Sequence, residues 1–210
     1  MEFKDINSLF RRNEVWMIKF YHPGCSHCKS MKEEWLKLAD KLYGIIKVAA
    51  VNCSDEEELC EEYDVKSYPT ILMFPDNTAK KYEVYKGKRT YEDFSNFAIS
   101  QMTSFVRFVN SSNFADFYSK EPDQAKVLLF TTRKTTPPLL MALSKELKGK
   151  VVFGEVKSTD EGLTKQYGVT EFPTILGLKS EAEGKRFEGE NKRHILERWI
   201  RDFMYDIRNQ

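Results

Sequence analysis

The sequence predicts an α/β protein of two tandem domains, each a mixed sheet flanked by helices. Three observations carry that prediction: a length of 210 residues, an internal repeat, and the same order of strand and helix patterns in both halves. About 100 residues per domain is an ordinary domain size. The segment Tyr63-Asp64-Val65-Lys66-Ser67-Tyr68-Pro69-Thr70-Ile71-Leu72 recurs as Tyr167-Gly168-Val169-Thr170-Glu171-Phe172-Pro173-Thr174-Ile175-Leu176, 104 positions later. Each copy then passes through a charged, hairpin-like stretch to an aromatic-x-Gly ending, Tyr85-Lys86-Gly87 and Phe187-Glu188-Gly189, and closes in a helical pattern. This is a tandem duplication of one domain. Its seam falls near residues 100–104, giving expected domains 1–102 and 103–210.

In the first copy, residues 14–20 and 45–51 read as buried strands. Between them Met31, Trp35, Leu38 and Leu42 recur at helical spacing, and Gly44 stands where the helix stops. Ser54 with Glu57 is a capping-box pattern opening an acidic helix, whose first turn (Asp55, Glu56, Glu57) suits the positive end of the dipole. Thr90 with Asp93 opens the closing helix, with Phe94, Phe97 and Ala98 facing inward. The second copy repeats the order. A strand at 126–130 precedes a helix from Thr136-Pro137 with Leu139, Leu143 and Leu147 on one face. A strand at 151–156, a helix around Leu163, a strand at 174–178 and a final helix bearing Ile195, Trp199 and Phe203 follow. The second copy also has a strand-like run at 105–109 ahead of Phe114. Phe3 aligns with Phe114 by its distance to the next strand phenylalanine, and only two residues precede it. The first copy is therefore expected to lack its opening strand, as though cut from a longer protein.

Hydrophobic residues make up 41% of the chain, including 15 Phe, 10 Tyr and 3 Trp, which supplies packed cores and excludes wholesale disorder. Lys plus Arg number 33 against 32 Asp plus Glu, for a net charge of +1. A chain so balanced has no global field to hold nucleic acid or an anionic membrane surface, so neither is an expected partner. No apolar run approaches the ~18 residues of a membrane-crossing helix. The first residues lack the pattern of a secretory signal, and Ile207-Arg208-Asn209-Gln210 is no retention tetrapeptide. The cysteines are more informative. All four (Cys25, Cys28, Cys53 and Cys60) lie in the first copy, which suggests a local redox or metal device rather than a framework of staples.

The strand at 14–20 runs through Tyr21-His22-Pro23-Gly24 into Cys25-Ser26-His27-Cys28 and then the amphipathic helix. That junction sets Cys25 at a helix N-terminus, where unpaired backbone N–H groups and the dipole stabilise an anion. A thiolate there has a depressed pKa and attacks disulfides. Cys28, one turn on, is placed to attack the resulting mixed disulfide. His27 can stabilise the Cys25 thiolate, which favours the dithiol and raises the reduction potential. Neither thiol needs a metal or an organic cofactor, and none is expected.

This redox motif, with Tyr68-Pro69-Thr70 beginning 40 residues after Cys28, resembles the protein disulfide isomerase family, which is built of thioredoxin domains. The resemblance covers essentially the whole chain. It implies that Pro69 is cis and faces the thiols, and that Tyr68 and Pro69, with Gly24 and Ser26, meet the substrate strand. Pro23 to Cys28, Ala50 to Cys53, Leu59-Cys60 and Tyr68-Pro69 are most similar to the endoplasmic-reticulum J-domain disulfide reductases. That similarity implies a home in the endoplasmic-reticulum lumen and reduction or isomerisation of disulfides in misfolded or disulfide-containing client proteins. Regeneration would come from glutathione or another thiol oxidoreductase, and an Hsp70-type chaperone would be recruited by a J domain outside this chain. A redox-inactive thioredoxin domain directly after the active one fits the same pattern. Several relatives also carry a disulfide equivalent to Cys53–Cys60. Two buried free thiols, or a zinc site of both cysteine pairs aided by His22 or His27, are the alternatives.

Three positions depart from the family pattern. Lys19 stands six before Cys25, where the family has a buried acidic residue; Ala50 stands where its lysine partner is usual; and the position of the arginine that assists the second cysteine falls near Gln101. Lys19 is either a pKa-tuning group for Cys28 or a snorkelling side chain outside the chemistry. In the second copy, Thr131-Thr132-Arg133-Lys134-Thr135-Thr136-Pro137-Pro138 holds no cysteine, so thiol exchange is not expected there. That copy keeps Phe172-Pro173-Thr174 and is expected to be either a spacer or a binding surface formed by 137–140 with Phe172 and Pro173. Asn52-Cys53-Ser54 and Asn110-Ser111-Ser112 match the glycosylation sequon; the first lies at a strand end and is expected to be unused, the second at a domain edge. His194 and its neighbours Lys192 and Arg193 read as a solvated helix face. The alternative to an enzyme is an interaction module that traps clients as mixed disulfides on Cys25.

Overall fold

The structure, a computed structural model, describes residues 14–75 and 82–209. The chain divides into two compact units, Met1–Thr103 and Ser104–Gln210. The first contains β1 (Trp16–Tyr21), α1 (Ser26–Ser30), α2 (Lys32–Lys41), β2 (Lys47–Asn52), α3 (Glu57–Glu62), β3 (Thr70–Phe74), β4 (Glu83–Val84) and α4 (Tyr91–Ser100). Its sheet order is β2-β1-β3-β4, with β1 parallel to β2 and antiparallel to β3. The mixed sheet and flanking helices are those expected.

β1 is buried on both faces, so apart from Lys19 its residues are apolar without the alternation of a half-exposed strand. Trp16, Ile18 and Phe20 pack with Leu59, Cys60 and Tyr63 on one side. Met17 packs with Met31, Trp35, Leu38, Leu42 and Phe94 on the other. By the two-residue period of a strand, Lys19 belongs to the face of Met17, under α1 and α2. The stripe at Met31, Trp35, Leu38 and Leu42 is buried as its spacing predicts. Gly44 follows at φ +76°, a left-handed conformation that glycine adopts without penalty. Thr90 caps α4, accepting the N–H of Asp93 at 3.2 Å.

The capping box at Ser54 does not form. α3 starts at Glu57 behind Glu56, with no side-chain cap. Asn52 takes over the turn instead. Its Oδ1 accepts from Ser54 N at 3.2 Å, and its carbonyl accepts from the N–H groups of Asp55 (3.1 Å) and Glu56 (2.9 Å). With those donors satisfied locally, the helix begins later. The expectation of a missing opening strand rests on residues 1–13, which lie outside the described residues.

The second unit contains β5 (Arg107–Val109), α5 (Phe114–Ser119), β6 (Ala125–Thr131), α6 (Pro138–Glu146), β7 (Val151–Lys157), α7 (Glu161–Gln166), β8 (Thr174–Leu178), β9 (Gly184–Arg186) and α8 (Arg193–Arg208). The order β5-β7-β6-β8-β9 repeats the first sheet with β5 added beside β7. On two helices part of the expected stripe is displaced by one residue, while Leu143, Leu147 and Phe203 are buried as expected. On α6 the buried apolar residues are Leu140 and Leu143, with Leu139 half-buried; on α8 they are Leu196, Ile200 and Phe203, with Ile195 and Trp199 at the margin. A stripe more than about 100° wide admits several phases, and contact with the sheet chooses among them. Phe203 makes that contact at Gly177, where an added Cβ would lie 2.7 Å from the ring.

Candidate active site

β1 ends against a tight turn in which Cys25 N donates to His22 O at 3.0 Å and Gly24 N to His22 Nδ1 at 3.1 Å. This turn delivers Cys25 to the N-cap of α1 in an extended conformation, φ −76° and ψ 116°. The Cys25 sulfur accepts the backbone N–H of Cys28 at 3.2 Å, the geometry of a side-chain cap. The Cys25 thiol also donates to the main-chain carbonyl of Tyr68 at 3.5 Å, so a residue 43 positions away closes the site. Tyr68–Pro69 is cis, as is Phe172–Pro173 in the second unit. Cys25 is half-buried and Cys28 buried, and both are free thiols.

The two sulfurs are pushed in opposite directions. Hydrogen bonding from the Cys28 thiol holds the Cys25 thiol below the ordinary cysteine range. The backbone N–H groups of Cys28 and His27 and the charge of Arg89 add to this, against some desolvation. Burial pushes the Cys28 thiol up, and its hydrogen bond and repulsion with Cys25 push it further; a backbone hydrogen bond at His22 and the charge of Lys19 oppose them. An accessible sulfur that ionises early above a shielded one that ionises late is the arrangement of an attacking and a resolving thiol.

Lys19 is buried, with its Nζ 5.4 Å from the Tyr21 ring centroid and 5.5 Å from that of Trp35. In the sheet it faces Ala50 and Ile71 across the register. Burial lowers its pKa, Cys28 raises it, and Lys32 lowers it. Its electrostatic neighbour in the site is thus Cys28. His27 and Ser26 are exposed on α1, and what His27 brings to Cys25 is its backbone N–H. The Tyr68 ring lies 5.8 Å from that of His22, flanking the turn.

Arg89 is a residue the sequence reading missed. It is not the family's arginine for the second cysteine, whose position falls near Gln101 at the far end of α4: Arg89 immediately precedes the N-cap Thr90, and its charge is the smallest of the influences that lower the Cys25 thiol. The one available signal was its place after the Tyr85-Lys86-Gly87 ending, where the chain turns back toward the helix. Cys53 and Cys60 form a disulfide with Cα atoms 5.8 Å apart. Both sulfurs are thereby used, which leaves the zinc alternative without two of its ligands. Cys53 is tied to the site by its N–H, which donates to Tyr21 O at 2.9 Å.

In the second unit, residues 132–137 connect β6 to α6, where residues 22–31 connect β1 to α2; there is no counterpart of α1. A lysine holds this shorter turn. Lys157 Nζ donates to the carbonyls of Arg133 (2.6 Å) and Lys134 (3.3 Å) and pairs with the buried carboxylate of Glu155. Glu155 stands opposite Leu129 as Ala50 stands opposite Lys19. Phe172 is half-buried and Pro173 exposed, and Phe172 packs against the core.

A strand–turn–helix bearing paired cysteines opposite a cis-proline, on a mixed sheet covered on both faces, is the architecture of thioredoxin-class proteins. The family model described as Thioredoxin matches residues 2–100 and again 106–202, and the chain belongs to that family. Among its members it is similar to protein disulfide isomerases and to ERdj5. It is 34% identical over 177 residues to a Dictyostelium discoideum protein provisionally named a protein disulfide-isomerase, covering 82% of this chain and 43% of that protein. It is 30% identical over 169 residues to protein disulfide-isomerase MPD1 of Saccharomyces cerevisiae (72% and 53%). It is 32% identical over 116 residues to human DnaJ homolog subfamily C member 10 (55% and 14%). The chain thus spans about half or less of the length of these relatives. Full-length ERdj5 superposes with a TM-score of 0.63 at 20% identity, over 96% of this chain and 32% of that one, a likeness of fold.

Proposed function

We propose that this chain catalyses thiol–disulfide exchange on disulfides of client proteins in the endoplasmic-reticulum lumen, as reductase or isomerase. The observation that carries the reading is the half-buried Cys25 sulfur, capping α1 and ionising early above the buried Cys28. The Cys25 thiolate attacks one sulfur of a client disulfide; the client S–S bond breaks, a mixed disulfide forms, and the other client sulfur leaves as thiolate and takes up a proton. Cys28, deprotonated, then attacks the Cys25 sulfur. The Cys25–Cys28 disulfide forms, the second client thiol is released, and the client has gained the two electrons the dithiol lost. Glutathione or a second thiol oxidoreductase returns them. Main-chain groups at Tyr68 and Pro69 receive the client strand, with Gly24 and Ser26 on the opposite side.

Similarity to protein disulfide isomerases and to a DnaJ homolog supports the compartment and a role beside an Hsp70-type chaperone, reached through a J domain outside this chain. A buried disulfide at Cys53–Cys60 suits an oxidising compartment. The second unit, with no cysteine and a turn held by Lys157, acts as spacer or client-binding module. The raised pKa of Cys28 also favours a second reading, a trap whose mixed disulfides resolve slowly.

The test is multiple-turnover reduction of a disulfide-bonded protein, with the Cys25/Cys28 couple equilibrated against a glutathione buffer. An enzyme turns over repeatedly and Cys28→Ala arrests it as a mixed disulfide. A trap shows one turnover and holds its partners with or without Cys28.

A further inference from the structure

The turn after β5 presents an asparagine whose amide nitrogen is left free by its own hydrogen bonding. Asn110, Ser111 and Ser112 are all exposed. Asn110 Oδ1 accepts from Ser112 N (3.0 Å), Ser112 Oγ (2.6 Å) and Asn113 N (3.1 Å). Two of those donors are backbone N–H groups, which can only donate, so the amide atom facing them is the oxygen. Nδ2 therefore points away from the turn and donates to no group among the described residues. Ser111 is occupied elsewhere: its N–H and hydroxyl both go to the carboxylate of Asp160, which also caps α7. The turn is thus held by groups other than Nδ2.

The other sequon differs at each point. Asn52 is half-buried at the end of β2, its Nδ2 donates to Asp55 at 2.6 Å, and the intervening Cys53 is locked in a disulfide. β5 runs parallel to β7, so Asn110 emerges at the sheet end that also carries residues 132–137 and Phe172–Pro173. A large substituent there meets solvent rather than a neighbouring strand.

We propose that Asn110 is a site of N-linked glycosylation and that Asn52 is not. The inference rests on the proposed endoplasmic-reticulum location, where the donor is an oligosaccharide linked to a polyprenyl diphosphate. Asn110 Nδ2 forms a bond to C1 of the reducing-end sugar. The C1–O bond to the diphosphate breaks, the diphosphate departs with its electron pair, and the Nδ2 proton passes to a base of the transferase. The Ser112 hydroxyl, which donates to the Asn110 carboxamide oxygen at 2.6 Å in this turn, is the hydroxyl that the sequon requires at its third position.

The test sends this chain into the secretory pathway of a eukaryotic cell behind an attached signal peptide. Gel mobility is then read before and after peptide-N-glycosidase treatment. One glycan is expected on the wild-type chain, retained in Asn52→Gln and Ser112→Thr, and lost in Asn110→Gln and Ser112→Ala. No shift in wild type, or a shift that survives Asn110→Gln, overturns the proposal. Because the attached signal supplies entry, neither result bears on where the natural protein resides. That is read by fractionating cells that produce it, and a cytosolic outcome would remove the location while leaving the acceptor result standing.

Discussion

The Cys25 sulfur accepts hydrogen bonds from the Cys28 thiol and, at 3.2 Å, from the Cys28 backbone N–H, while the Cys28 side chain is buried, so those bonds to one residue and the burial of the other drive two identical thiols apart. The alkylation rate of Cys25 is therefore expected to rise with pH to a half-point below the ordinary thiol value of 9.0. Cys28→Ala removes the largest contribution, the hydrogen bond from its thiol, and should move that half-point back up. A half-point at 9.0 or above in the wild-type chain would contradict the assignment of Cys25 as the attacking sulfur.

For Cys28 the sign of the pH dependence reverses. A thiol whose folded pKa is raised adds stability that is complete below its unfolded value, ordinarily 9.0, and lost as pH climbs through the folded pKa. The reduced chain is thus expected to lose denaturant resistance on the alkaline side. Cys28→Ala should flatten that loss in urea melts run at several pH values.

Lys19 has the opposite linkage. Burial lowers its folded pKa, so the unfolded chain binds the proton more readily and stability rises with pH between the lowered value and the ordinary 10.5. Lys19→Met removes the positive charge beside Cys28. The resolving step should slow and its pH profile move upward, while thermal stability stays level or rises. Unchanged resolution kinetics across pH would reduce Lys19 to a packing residue between Tyr21 and Trp35.

Arg89 is exposed, so its influence on Cys25 is screened by salt. Arg89→Met should slow Cys25 alkylation at neutral pH in low salt, with the gap to wild type closing as salt is added. A deficit independent of ionic strength would mean the arginine acts through structure and not charge.

The Cys53–Cys60 disulfide closes a short loop, seven positions apart in sequence. Replacing both cysteines by alanine should cost about 2–3 kcal/mol by the chain-entropy relation, read as a lower urea midpoint. Cys25 alkylation should be retained, since neither sulfur belongs to the exchange chemistry.

Local patterns carried much of this in advance. The stripe at Met31, Trp35, Leu38 and Leu42 was legible because helix neighbours at three and four positions share a face whatever surrounds them. The cap at Thr90 was legible for the same reason: its partner, Asp93, is three residues away. Ser54 misled because Asn52, two residues earlier, competes for the same donors, and sequence does not rank two caps. Leu139 and Ile195 misled because an apolar stripe several residues wide has no single centre until it meets a sheet.

By itself the sequence determined the duplication, the order of strands and helices, the placing of Cys25 at a helix start, and the absence of cysteine from the second copy. Those are properties of neighbours along the chain and of composition. Only the tertiary structure decided which distant groups meet: Tyr68 O at the Cys25 thiol, Lys19 next to Cys28, Arg89 near the site, and Lys157 holding the turn that replaces the redox helix. Such encounters depend on strand register and on how the helices settle across the sheet. Both are set by the packing of the whole domain, so no short window of residues contains them.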